Sequence, residues 1–571
     1  MVQDQVRIPK GPMHVIRNRY MMFRSAAIVF CVTLLLPSLA FACPQTQTQP
    51  KTSSEFAQQS ATIHATARLV QVTVIVQDKN GASISGLKKE DFALFDGGMP
   101  QVISFFSSAT PARPPAHLLP PNVFTNRSDL KGQDPGATIV ILFDELNTAF
   151  EDQAYARNHI LRFLKTVKPQ DHVAIFALTN DLVVLHDFTE DANALANSVS
   201  RFSPRLLAAF DASHPENFHV DALRDVASWR SFEDHVNNAN GEIADSRVVD
   251  RYRITNSALA AIASYVEGIP GHKSLVWVSG GIPIQLGAGQ VGVPDRDSFQ
   301  FDNSGVPGLA NASDVSGLAR VLNRVNMAIY PIDAHGIEVD DSAAAFFLRQ
   351  NQRDTFRLLA DRTGGKAFYG TNDIAAAVNS AFEDGRYTYT LGFYPNHGVW
   401  DGKFREIKIN LAVRDGHLRY RRGYFAFPER SESSATMVTD LQQAARSPVD
   451  ATGLGLTVRG KALGPSSART LLLQVGVDPK QFLLRDEDNH SCGGLDLLFL
   501  QRDAMGNFLA AEQQHFDVNF SQREYDSLVK TGLVLQRRLA VDPASVELRV
   551  LVRDAGSAAI GSVTVPVKLY F

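Results

Sequence analysis

Cysteine is scarce in this chain, with three residues in 571. That scarcity excludes a disulfide-built scaffold and any multi-cysteine zinc site. No G-x-x-x-x-G-K-[ST] or G-x-G-x-x-G opens a predicted helix, so nucleotide binding lacks its phosphate cradle, and H-E-x-x-H does not occur. An excess of one charge is missing too. Lys+Arg 56 against Asp+Glu 60 leaves a net charge of -4, which points to neither nucleic acid nor an anionic membrane surface. What is present is 44% hydrophobic residues in a chain too long for one core. At ~150 residues per domain, three or four units are expected.

Arg17, Arg19 and Arg24 precede an apolar stretch from Ala26 to Leu36, followed by Ala40-Phe41-Ala42. A basic segment, a short apolar core and an A-x-A end describe a signal peptide over residues 1–42, cleaved near Ala42. The stretch is short of the ~20 residues of a membrane span, so an uncleaved anchor is the weaker alternative. The expected location is secreted, periplasmic or cell envelope, with no transmembrane span in the mature chain. Cys31 leaves with the signal, and Cys43 then stands at the processing point, where a bacterial lipoprotein carries its lipid. Ala40 and Phe41 fit that motif poorly, so a lipid anchor at Cys43 is a minority reading. Residues 43–63, rich in Gln, Thr, Ser and Pro, read as a flexible linker.

Val70, Val72, Val74 and Val76 alternate with partners of the opposite face, which marks a strand. Residues 64–110 form a small β unit, and the proline-rich stretch 111–136 reads as a linker. From Ala137 the pattern becomes apolar strands (138–143, 173–178, 274–278, 327–332) alternating with amphipathic helices. That predicts a doubly wound, mainly parallel sheet covered on both faces over 137–384, with insertions at 203–250 and 283–314. At 385–428 the period returns to two. This second β segment and the first are expected to make one split β-sandwich with the α/β domain inserted. Residues 429–450 read as a linker, and 451–571 as a C-terminal β-sandwich.

The sequence I-V-I-L-F-D-E-L-N-T (139–148) puts Asp144 at the carboxyl end of the first α/β strand, where open sheets bind ligands. With the later S-L-V-W-V-S-G-G, it resembles a von Willebrand factor A domain, whose D-x-S-x-S loop holds a divalent cation with a Thr and an Asp from two other loops. The resemblance implies Asp144, Thr148 and Thr255 as a degenerate metal set for Mg²⁺ or another divalent cation. Leu146 replaces one Ser, and Ser279-Gly280-Gly281 stands where the third-loop Asp is expected. Asn147 can offer an amide oxygen in compensation. The alternative is a metal-free site, with Asp144 capping its loop and Thr148 opening the next helix.

A narrower resemblance spans roughly residues 65–426. The segments V-Q-V-T-V-I-V-Q-D-K-N-G, L-K-K-E-D-F-A-L-F-D-G-G, G-I-P-G-H-K-S-L-V-W-V-S-G-G-I-P, Y-T-L-G-F-Y-P and R-Y-R-R-G-Y-F-A look like those of the VWFA-related family of secreted acidobacterial-type proteins. It implies an exported protein and no established reaction.

Three functions follow as expectations. The leading one is protein or matrix binding outside the cytoplasm, using a top face that includes Asn147 and Ser279. The second is a metal-free envelope scaffold, and the remote third is a serine hydrolase built on Ser279 with Asp333 and His335. The protein is therefore expected not to be an enzyme. R-Y-R-R-G-Y (419–424) is a basic cluster with interleaved aromatics, read as one packed and one solvated strand face.

Overall fold

The computed structural model describes residues 69–571 except 80, 109–118, 131–136, 169–170, 204–226, 282–311, 338–342, 413–415, 427–433, 465–468 and 488–489. The expected signal peptide, the linker 43–63, Cys43, residues 204–226 of the first insertion and most of the second lie outside the described residues.

Strands β1 (Val70–Gln77), β2 (Phe92–Asp96), β3 (Met99–Gln101) and β4 (Phe105–Ser108) open the described chain. In β1 the predicted alternation holds, with Val70, Val72, Val74 and Val76 all buried. β5 (Val123–Thr125) follows, inside the stretch read as a linker.

The central α/β part begins with β6 (Ala137–Asp144), α1 (Phe150–Leu164), β7 (Asp171–Leu178), β8 (Leu182–Thr189) and α2 (Ala192–Arg201). It continues with α3 (Ala227–Val266), β9 (Lys273–Ser279), α4 (Ala312–Arg324), β10 (Met327–Asp333), α5 (Ala343–Thr363) and α6 (Ile374–Arg386). The sheet order is β10-β9-β6-β7-β8, parallel except for the antiparallel edge pair β7–β8. Counted within the sheet this is 3-2-1-4-5, the doubly wound order whose direction reverses between β6 and β9. Alternate residues of β6 feed two cores. Val140 and Leu142 pack on the side of α3, α4 and α5, while Ile139, Ile141 and Phe143 pack on that of α1, α2 and α6. Both faces are therefore covered, as continuous apolar strands require.

Strands β11 (Thr388–Phe393), β12 (Phe404–Leu411), β13 (His417–Tyr420) and β14 (Gly423–Phe425) come next. They pair with the opening strands in two sheets, β13-β1-β11-β4 and β14-β12-β2-β3, which share one apolar core. Helix α7 (Ser434–Arg446) occupies part of the 429–450 stretch read as a linker.

The last part holds β15 (Leu456–Leu463), β16 (Thr470–Val477), β17 (Arg485–Glu487), β18 (His490–Arg502) and β19 (Phe508–Ser521). Helix α8 (Gln522–Thr531), β20 (Leu533–Ala540), β21 (Glu547–Asp554) and β22 (Ile560–Pro566) complete it. Its strands form the sheets β20-β16-β15-β5 and β17-β18-β21-β22, with β19 on β18. β5 thus reaches this sheet from more than 300 residues upstream. The Asn126 side chain after it binds the carbonyls of Ala451 and Leu454 and the amide of Leu456.

Three further differences from the expectations have plain causes. The helix expected to begin near Thr255 starts at Ala227, because the polar segment before Thr255 contains no proline and carries no apolar stripe to mark it. The strand expected at 366–369 is a single bridge, Ile332–Phe368. In R-Y-R-R-G-Y, Arg419 pairs with buried Asp384, and an Arg421 Nη donates to the Gln71 carbonyl at 2.6 Å, so two of its cations are spent on packing.

Candidate functional site

Asp144 ends β6 and Ser279 ends the neighbouring β9, so the candidate residues sit where the doubly wound sheet reverses direction. The structure brings all five together, and all are buried. Asp144 and Ser279 are fully enclosed, Thr148 and Thr255 are 1% exposed and Asn147 2%. As ligand-face candidates Asn147 and Ser279 therefore lie beneath the surface rather than on it.

Both oxygens of Asp144 are surrounded by donors. Oδ1 accepts from the Asn147 backbone amide at 3.0 Å and from Asn147 Nδ2 at 3.2 Å. Oδ2 accepts from Asn147 Nδ2 at 2.9 Å, Trp277 Nε1 at 3.0 Å and Ser279 Oγ at 2.8 Å. Burial pushes the Asp144 carboxyl above the usual carboxylate range, and these hydrogen bonds offset only part of that rise. Four of the five contacts are N–H donors, and the fifth is the Ser279 hydroxyl, whose one proton also faces the Gly281 carbonyl at 2.8 Å.

Asn147 is the hub. Its Nδ2 also donates to Thr255 Oγ1 at 2.9 Å, and its Oδ1 accepts from Arg251 Nε at 3.1 Å. Turning the amide over would set its NH₂ against a guanidinium and its oxygen against a carboxylate, so the neighbours decide its orientation. The amide oxygen expected to help hold a cation therefore faces Arg251, and the amide nitrogen faces Asp144.

Thr148 and Thr255 are equally committed. Thr148 Oγ1 donates to the Asp144 carbonyl and accepts from the Gly280 amide at 2.8 Å. It does not open α1, whose N-cap is Ala149. Thr255 lies inside α3, not at its start, and its hydroxyl donates to the Arg251 carbonyl one turn back at 2.8 Å. Gly280 makes the close approach of the two loops possible, since a Cβ there would lie 2.8 Å from the Asn147 carbonyl oxygen.

A hard divalent cation needs several oxygens converging on one open point. Here the Asp144 oxygens face four N–H contacts and one hydroxyl, and Leu146 is fully buried in the apolar core. The nearby positive charge belongs to Arg251, whose pKa burial pushes down to about 10 while Asp144 pulls it up. It remains a cation at neutral pH. The residues present do not fit a divalent cation in this arrangement. Among the described residues there is also no group of three or more His, Cys, Asp or Glu placed to hold a metal.

The hydrolase triad does not assemble either. Ser279 Oγ lies 2.8 Å from Asp144 Oδ2 and 2.8 Å from the Gly281 carbonyl. His335 does pair through Nδ1 with Asp333 at 2.9 Å, as a triad would need, but it is not a partner of Ser279 Oγ. Arg251 and Trp277 were not foreseen from sequence. The available signal was spacing, because Arg251 precedes Thr255 by four residues and shares its helix face.

No family model and no curated protein matches this sequence. Solved structures are similar to parts of it. The von Willebrand domain of a type V pilus tip protein from Porphyromonas gingivalis is 12% identical, covering 43% of this chain and 93% of that one, with a TM-score of 0.25. An aerotolerance-related membrane protein from Bacteroides fragilis is 11% identical, over 44% of this chain and 98% of that one, at 0.24. A three-domain piece of the same pilus tip protein is 8% identical, covering 88% and 77%, at 0.25. The central part is a doubly wound α/β fold covered on both faces, the layout that the von Willebrand A resemblance implies.

Proposed function

We propose that this is an exported, non-enzymatic binding scaffold whose von Willebrand A-like domain works without a metal ion. The two flanking β regions are read as a split β-sandwich and a C-terminal β-sandwich, and the partner as a protein or an extracellular matrix or envelope component. One observation carries the metal-independent reading: Asp144, the residue that would anchor a cation, is enclosed by N–H and O–H donors, with the Arg251 guanidinium held against their hub. A closed strand end favours the scaffold reading over adhesion through an open metal coordination site. No helix among the described residues is long and apolar enough to cross a membrane.

Proximity labelling from the full chain in its native cells, with and without a chelator, tests this reading. Labelled envelope or secreted proteins, the same in both conditions, are expected. A cytoplasmic set would contradict export, and a set lost on chelation would contradict metal independence. A serine-reactive probe is expected to leave Ser279 unlabelled.

A further inference from the structure

The four strands β5, β15, β16 and β20 contain no Asp or Glu, yet they carry Arg459, Lys461, Arg537 and Arg538. Arg537 is spent on Glu512 at 2.7 Å. The other three are exposed, on strands whose alternate residues Leu456, Val458, Leu471, Leu473, Leu535 and Leu539 are buried. They therefore share the outer face of the sheet. The register arranges them in rows. Arg459 stands beside Gln474, which stands beside Gln536, and in the next row Leu472 lies between Lys461 and Arg538. Neighbouring rows on one face are roughly 7 Å apart, and Lys461 and Arg538, two strands apart, roughly 10 Å.

At one end the face deepens into a basin of about 520 Å³, to which Arg459 and Lys530 contribute. Its one acid, Asp478, lies 3.5 Å from Arg127. Among the described residues, Arg459, Lys461, Lys530 and Arg538 have no ion-pair partner.

We infer that this face binds a carboxylated polysaccharide. Arginine forks and lysine charges suit carboxylates, and the Gln474 and Gln536 amides beside them supply donors and acceptors for hydroxyls. A peptide strand would add at a sheet edge, where backbone groups are open, rather than on a face. Single-stranded nucleic acid would call for aromatic platforms, and the outward positions of β15, β16 and β20 carry none. The inference rests on the exported reading only for where such a glycan is met, and the binding itself is independent of the Asp144 network.

Calorimetric titration of the full chain with polygalacturonate, and with poly-L-glutamate of matched charge, tests the proposal. Polygalacturonate is expected to bind with an affinity that falls as salt rises. The triple substitution Arg459→Gln, Lys461→Gln, Arg538→Gln is expected to weaken it by about tenfold or more. Lys403→Gln, whose side chain is 78% exposed in the turn before β12, is expected to bind as wild type. Gln474→Glu, which puts an acid among the cations, is expected to weaken binding as well, and circular dichroism checks that each variant folds. No binding at low salt, equal binding by the triple variant, or equal affinity for poly-L-glutamate would overturn the inference. None of these outcomes bears on export or metal independence, whose failure is read by proximity labelling.

Discussion

Arg251 carries its charge into a place where burial works against it, and its reward is a polar cluster that holds three elements together. Loop 145–148, helix α3 and the end of β9 meet through Asn147, Thr255, Ser279 and Asp144. Arg251→Met would leave Asn147 Oδ1 without its donor and Asp144 without its compensating charge. The expected cost is about 2–4 kcal/mol, measured by denaturant unfolding. His272 gives a second prediction at this scale. Both its ring nitrogens are enclosed, and burial, with Lys273 and Arg419 nearby, pushes its pKa down to about 3. The unfolded chain takes up that proton below about pH 6.5, whereas the folded chain does so only near pH 3. The stability from neutral His272 is therefore present above pH 6.5 and lost as pH falls. Between pH 6.5 and 5 the loss is about 1–2 kcal/mol. His272→Leu is expected to flatten that part of the stability profile, and an unchanged slope would refute the assignment.

Elements whose signal is local were legible in the sequence. The period of two in β1, the apolar run of β6 ending at Asp144, and that of β9 ending at Ser279 all declare themselves within eight residues. β5 could not, because three residues gain strand geometry only by pairing with β15, far along the chain. The start of α3 was hidden because its first half has no apolar stripe. The candidate site was legible as a set of positions and not as a chemistry. Asp144, Thr148, Thr255 and Ser279 do meet, but what Asn147 offers depends on Arg251, 104 residues further along in another element. Element junctions also carry a sharp steric prediction. Gly365, just after α5, lies so close to β10 that a Cβ would sit 1.8 Å from the Ile329 carbonyl oxygen. Gly365→Ala is expected to cost about 1–3 kcal/mol, read as a lowered denaturation midpoint.

At the scale of the whole molecule, the described residues between 69 and 571 form one compact unit. Two of the ties of the C-terminal β part are Asn126 after β5, and Thr452, which bonds the Ser264 carbonyl and the Gly268 amide at the end of α3. Asn126→Ala removes three hydrogen bonds to buried backbone and is expected to cost about 1–3 kcal/mol. Limited proteolysis is expected to release the C-terminal part faster from this variant than from wild type. Equal rates would mean that the clasp does not govern its attachment.

The closed strand end is the centre of the account, and calorimetric titration of the wild-type chain with Mg²⁺ and Mn²⁺, paired with thermal unfolding in chelator, tests it most directly. A ligand at about a hundred times its Kd would stabilise the fold by about 2.7 kcal/mol, so specific binding would be plain in the midpoint. The account predicts no saturable heat and the same midpoint with ion or chelator, while Arg251→Met lowers it in both. A saturable heat that Asp144→Ala abolishes would contradict it.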